Sequence, residues 1–144
     1  MQVQIKKLNA SAILPERKTE GSAGYDLSAC LERDLILPKG KVVLVPTGLA
    51  FAIPNGFEGQ IRPRSGFSTK ERIIMPNAPG TIDSDYRGEV FIPLLNLSDT
   101  DFILTHHTRI AQILIKRYEL VHFHLAEDLN STDRGTGGFG STGK

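Results

Sequence analysis

Gly48-Leu49-Ala50-Phe51-Ala52-Ile53-Pro54 alternates large and small apolar residues between two turn formers. Extended backbone sends successive side chains to opposite faces, so Leu49, Phe51 and Ile53 share one face and Ala50 and Ala52 the other. The heptapeptide reads as a strand. Outward from it, Lys41–Val45, Glu89–Leu97 and Glu119–Leu125 also read as strands, the last with Val121, Phe123 and Leu125 on one side and His122 and His124 on the other. Arg109 to Lys116 (RIAQILIK) has the apolar spacing of a helix face but isoleucines that favour a strand, and in a chain this β-rich we assign strand. Ser68-Thr69-Lys70-Glu71 has the form of a capping box, which predicts one or two helical turns after Arg64. With 14 glycines and 8 prolines breaking the chain into short segments, the expected class is all-β, a sandwich, jelly roll or barrel.

Composition narrows the function. A length of 144 residues suits one domain, and 17 basic against 16 acidic residues leave a net charge of +1. Such a chain has no global basic field for nucleic acid and no polybasic run for a membrane surface, so an anionic ligand needs a local site. No stretch approaches the roughly 18 apolar residues of a transmembrane helix. Met1–Ala10 lacks the apolar centre of a signal peptide, and the expected location is cytoplasmic. Cys30, the single cysteine, allows neither an intrachain disulfide nor a cysteine-based zinc site and reads as a small buried apolar residue. The last 18 residues, Glu127–Lys144, hold five glycines and only Leu129 and Phe139 as large apolar groups. Ordering backbone costs about 1–2 kcal/mol per residue. We therefore expect a folded core over residues 1–126 and a mobile arm over 127–144.

Several short stretches carry polar chemistry. Arg62-Pro63-Arg64-Ser65-Gly66 leads from a strand into the expected helix, either a turn with an N-cap or an anion site at the helix start. Asn77 to Gly88 packs turn formers, Asp83, Asp85 and Tyr86 ahead of an apolar strand, as in a hairpin. The two carboxylates share a face if the segment is extended, as an acid, base or metal-water pair requires; capping of the turn is the alternative. Asp26 and Gln112 are single polar side chains inside apolar strands. The i, i+2 pair His122 and His124 reads as an exposed or interface strand face rather than a metal site. The arm matches G-x-G-x-x-G from Gly135 and G-x-x-x-x-G-K from Gly138, but a Rossmann or Walker site needs a strand before and a helix after, and here the sequence ends. Glycine-rich backbone with Arg134, Ser141, Thr142 and Lys144 can still wrap phosphates.

In order and spacing, five of these stretches resemble the motifs of the homotrimeric dUTP diphosphatases, or dUTPases: AGYDL at 23–27, RPRSG at 62–66, GTIDSDYRGE at 80–89, RIAQ at 109–112 and RGTGGFGST at 134–142. The resemblance spans the whole chain. It implies a distorted jelly-roll barrel or sandwich with one short helix and a flexible glycine-rich C-terminal arm. It also implies a homotrimer whose three active sites lie between subunits, the first, second and fourth motifs coming from one chain, the third from another and the fifth from the remaining one. The implied reaction is attack of water on the α-phosphorus of dUTP, giving dUMP and pyrophosphate, with Mg²⁺ bridging the phosphates.

By the same resemblance, Asp83 orients and deprotonates the water. Arg64, Ser65 and Gly66 hold the phosphates, and Asp26 and Gln112 act through metal-bound water or the phosphate shell, with no direct protein ligand to the metal. Asn77 and the backbone of Gly80, Thr81 and Ile82 pair with uracil, Tyr86 lies against the sugar, and a backbone contact falls near Phe91. In the arm Phe139 stacks on the base, while Arg134, Gly140, Ser141 and Thr142 close over the triphosphate. Three departures stand out: His107-Thr108 where the family often has Gly and an acidic residue, Phe67-Ser68 where Leu-Ala is common, and a proline at position 79 in the uracil hairpin. The rival readings are a dCTP deaminase relative, whose chemistry wants a glutamate base where this chain has Asp83, and a protein of the same fold with a binding or regulatory role.

Overall fold

The computed structural model describes residues 1–138. Eleven strands and one helix follow one another as β1 (Gln4–Lys7), β2 (Tyr25–Ser28), β3 (Leu35–Leu37), β4 (Val42–Pro46), β5 (Leu49–Ala52), β6 (Phe57–Pro63), α1 (Ser65–Lys70), β7 (Ile73–Ile74), β8 (Gly80–Ile82), β9 (Phe91–Asn96), β10 (Phe102–Leu104) and β11 (Arg109–Arg117). All pairings between these strands are antiparallel. Two larger sheets, ordered β2-β11-β6-β8 and β4-β9-β7, join two ribbons, β1-β5 and β3-β10, in a jelly-roll-like stack. No helix among the described residues is long and apolar enough to cross a membrane.

The strand over 48–54 forms as β5. Leu49, Phe51 and Ile53 are buried and Ala50 with them, so both faces are covered. The segment 109–116 is a strand, buried at Ile110, Ala111, Ile113 and Leu114, with a register shift between Arg109 and Ala111. Within β9 the inward residues are Ile92, Leu94 and Asn96, at the strand period of two. Cys30 is buried, as its reading as a small apolar residue requires.

Two local expectations are corrected. Glu119–Leu125 is not a strand: among the described residues it has no ladder partner, and Val121, Phe123 and Leu125 are exposed, the phenylalanine at 97%. Alternation specifies a strand only when a second surface accepts the apolar face. The helix expected after Arg64 forms over Ser65–Lys70, but the capping box does not: the N-cap, Arg64, is extended and makes no side-chain cap, and Glu71 lies at the far end as the C-cap. The reason is tertiary. Phe67, the buried residue of the helix, packs edge-on against Phe102 with ring centroids 5.8 Å apart. Seating it there forces the chain to turn directly after β6, and the Ser68 hydroxyl ends up buried without a partner.

Two buried polar residues tie the sheets together. Thr47 donates through Oγ1 to the carbonyl of Val90 at 2.7 Å. Asn96, with no exposed surface, donates through Nδ2 to the carbonyls of Leu37 (2.8 Å) and Thr100 (2.9 Å) and accepts from the amide of Ser98 at 2.8 Å. Asn96→Ala removes all three bonds at once and strands the Leu37 carbonyl in the core. The expected cost is about 2–4 kcal/mol. Urea unfolding at fixed protein concentration reads it as a lower midpoint with an unchanged slope.

Candidate active site

Adjacent strands bring the first, second and fourth motif stretches together. Gln112 in β11 is the register partner of Asp26 in β2 on one side and of Arg62 in β6 on the other, so three polar side chains form a row across one sheet. Asp26 is the anchor. Arg64 donates through Nε to its Oδ1 at 3.0 Å, and Arg109 through Nη1 to its Oδ2 at 2.8 Å. The Nη1 of Arg64 also reaches the backbone carbonyl of Arg109 at 3.0 Å, which holds its guanidinium at two points. Gln112 donates through Nε2 to the carbonyl of Pro63 at 3.0 Å, and Arg62 through Nε to Oε1 of Gln60 at 2.7 Å.

These residues border a cavity of about 370 Å³ whose charged walls are Lys18, Arg62, Arg64 and Arg109 against the single carboxylate of Asp26. Lys18 is also paired with Glu16. The excess of cations in so small a space suits a multiply charged anion, and the planar guanidinium groups suit phosphate oxygens. Ser65 and Gly66 are exposed at the start of α1, where first-turn amides have no intrahelical acceptor. The sequence reading did not give Arg62, Arg109 and Lys18 a place among the site residues. The sign that could have found Arg62 is its i, i+2 relation to Arg64, which places both on one face of the strand end.

Asp83 is not in this cluster. It borders a second cavity, of about 840 Å³, with Thr81, Asp85, Arg87, Glu58 and Tyr118, and the two cavities share no wall residue. β8 stops at Ile82, and the carbonyl of Asp83 accepts the amide of Tyr86 at 3.2 Å, so the segment turns where an extended run was one expectation. Asp83 and Asp85 nonetheless face the same space. The hydroxyl of Tyr86 donates to the carbonyl of Glu89 at 2.9 Å, and its ring lies over Gly88, where a Cβ would stand 2.5 Å from that hydroxyl. Asn77 is exposed, and its Nδ2 would be 3.3 Å from a Cβ on Gly80. Phe91 opens β9, partly exposed.

Arg134 is exposed and donates through Nε to the carbonyl of Gly137 at 2.8 Å within the arm itself. Phe139, Gly140, Ser141 and Thr142 lie outside the described residues. The departure at His107 has a visible consequence. Its φ of 65° lies in the left-handed region that glycine enters without a Cβ penalty, and an imidazole Nε2 contact to the carbonyl of Ser11 at 2.8 Å offsets the strain. Arg109 and Gln112 keep their places beyond it.

The dUTPase family profile matches residues 10–143. A deoxyuridine 5'-triphosphate nucleotidohydrolase of Leptospira interrogans is 56% identical over 144 residues, covering 99% of each chain, and one of Rickettsia felis is 51% identical over 143 residues, covering 99% of this chain and 97% of its own. Among solved structures, the dUTPase of Staphylococcus bacteriophage 80alpha with dUpNHpp superposes with a TM-score of 0.85 at 26% identity, covering 99% of each chain. A dUTPase from phage phi11 of S. aureus, described for its coordination of a structural Mg(II) ion, shares the fold at a TM-score of 0.82 and 22% identity, over 91% of this chain and 100% of its own.

Proposed function

The chain belongs to the dUTPase family, and from that membership we propose that it hydrolyses dUTP to dUMP and pyrophosphate, which limits uracil in DNA and supplies dUMP for thymidylate synthesis. The observation that carries the reading is the 56% identity, over the full length, to a relative named for this hydrolysis. The basic cavity around Asp26 supports it from the side of chemistry, since a triphosphate needs such a concentration of cations.

In the mechanism we infer, Asp83 takes a proton from water as its oxygen bonds to the α-phosphorus. The bond from that phosphorus to the bridging oxygen breaks, and pyrophosphate leaves. Arg64, Ser65 and Gly66 hold the phosphates as charge shifts toward the leaving group. Asn77 and the backbone of Gly80 to Ile82 read the uracil edge, Tyr86 excludes a ribose hydroxyl, and Phe91 adds a backbone contact. Both oxygens of Asp26 already take an arginine, and among the described residues no three His, Cys, Asp or Glu side chains converge. Asp26 and Gln112 would hold Mg²⁺ through water, and the ion would supply positive charge against the phosphates.

A homotrimer follows from the same reading. Asp83 lies away from the phosphate cluster within one chain, so a complete site calls for Asp83 of a second copy. The exposed, alternating Val121, Phe123 and Leu125 offer an apolar face for a neighbour to cover. Residues 127–144 act as the arm that closes the site, with Arg134, Phe139, Gly140, Ser141 and Thr142 over the nucleotide. The setting is the cytoplasm, and neither nucleic acid nor membrane is a partner.

Release of pyrophosphate and of ammonia from dUTP, dCTP, dTTP and UTP with Mg²⁺, with EDTA as control, tests the reading. Pyrophosphate from dUTP alone is the expected result. Ammonia from dCTP would replace the proposal with deamination, and silence from a folded trimer would replace it with a binding role.

A further inference from the structure

Gly24 precedes β2 and is half-buried beside the side chain of Gln112. A Cβ placed on Gly24 would stand 2.1 Å from Oε1 of Gln112, 3.0 Å from Cδ and 3.3 Å from Cβ. The first distance is far inside van der Waals contact, and the next two leave little room for a small adjustment. Its φ is not in the left-handed region, so the backbone conformation alone does not ask for glycine. What the position requires is the missing methyl group. Gln112 cannot simply lean away, because its Nε2 is bonded to the carbonyl of Pro63 at 3.0 Å on the far side of the same carboxamide. That bond takes one Nε2 hydrogen, and among the described residues the other hydrogen has no partner, which leaves it for the cavity.

We propose that Gly24 is a positioning residue for the reaction: the absence of a side chain there seats the Gln112 carboxamide between β2 and Pro63 and directs its second N–H toward the phosphates. This rests on the reading that Gln112 contacts the triphosphate or its metal-bound water. Gly24 acts only through Gln112, so substituting both residues should not cost the sum of substituting each.

The test is a double-mutant cycle with Gly24→Ala, Gln112→Ala and the pair together, measured as kcat/KM for dUTP, affinity for the imido analogue dUpNHpp, and Tm. Gly24→Ala and Gln112→Ala should each lower kcat/KM by roughly 100-fold, the scale of a small misplacement of a reacting-site group. The pair should be no worse than Gln112→Ala alone, because removing the Gln112 carboxamide makes room for the methyl. Parental kcat/KM in Gly24→Ala, beside an impaired Gln112→Ala, would overturn the assignment. Parental kcat/KM in Gln112→Ala would overturn the reading of Gln112 instead. If Gly24→Ala fails to fold, the pair decides: recovery of Tm in the pair upholds the clash with Gln112, and equal loss of Tm in both places the requirement in the backbone and ends the proposal.

Discussion

Asp83→Asn is expected to remove turnover while leaving nucleotide binding close to the parent. Asparagine keeps the shape and can still orient a water molecule, but it cannot accept the proton that the attacking oxygen must lose. Loss of a general base lowers kcat by about 10²–10⁴-fold. Stability should hardly change. Asp83 is exposed, and its structural bond, from the Tyr86 amide, is made by the backbone carbonyl that asparagine retains. Substitutions of that kind fall within about 0.5 kcal/mol. Pyrophosphate release, calorimetric titration with dUpNHpp and a melting curve separate the three quantities. Unimpaired turnover would take the base role from Asp83, and a parallel loss of binding would make it a ligand contact.

Removing residues 134–144 is expected to leave a folded assembly that is nearly inactive. Among the described residues the buried apolar cluster contains none beyond Ile113, with Ile115 packed against it, and residues 119–136 are exposed throughout. The described part of the arm therefore adds little to the core, and Tm is expected to stay near that of the full chain. Activity should fall by at least about 100-fold, the scale for losing one preorganised donor to developing charge. Arg134, Ser141 and Thr142 together offer more than one. A truncated protein with full kcat/KM would remove the arm from catalysis, whereas one that loses its oligomeric state would give the arm a role in assembly.

The elements legible in the sequence are those whose signal is local. The 48–54 alternation and the apolar run of 109–116 became β5 and β11 because burial on both faces rewards the same residues that favour extended backbone. The stretch 119–125 carries equally clear alternation and stays outside the sheets, since pairing needs a surface that the described residues do not offer it. The capping-box pattern at Ser68 was overridden by Phe67, whose seat against Phe102 is worth more than one side-chain cap.

The site divides in the same way. The chain itself carries the residue types and their order: a carboxylate in 23–27, arginines in 62–66, a glutamine in 109–112, the Asp83 hairpin and a coreless glycine-rich end. It also determined, through near-neutral net charge, that any anion must be met locally. Folding sets which of these meet. Register across β2, β11 and β6 sets Asp26, Gln112 and Arg62 in one row, and Asp26 gathers Arg64 and Arg109, residues 38 and 83 positions away in the chain. It also put Asp83 against a different cavity. Side-chain chemistry is a property of a residue, whereas proximity depends on strand register, which is settled by the packing of apolar faces far from the polar groups it brings together.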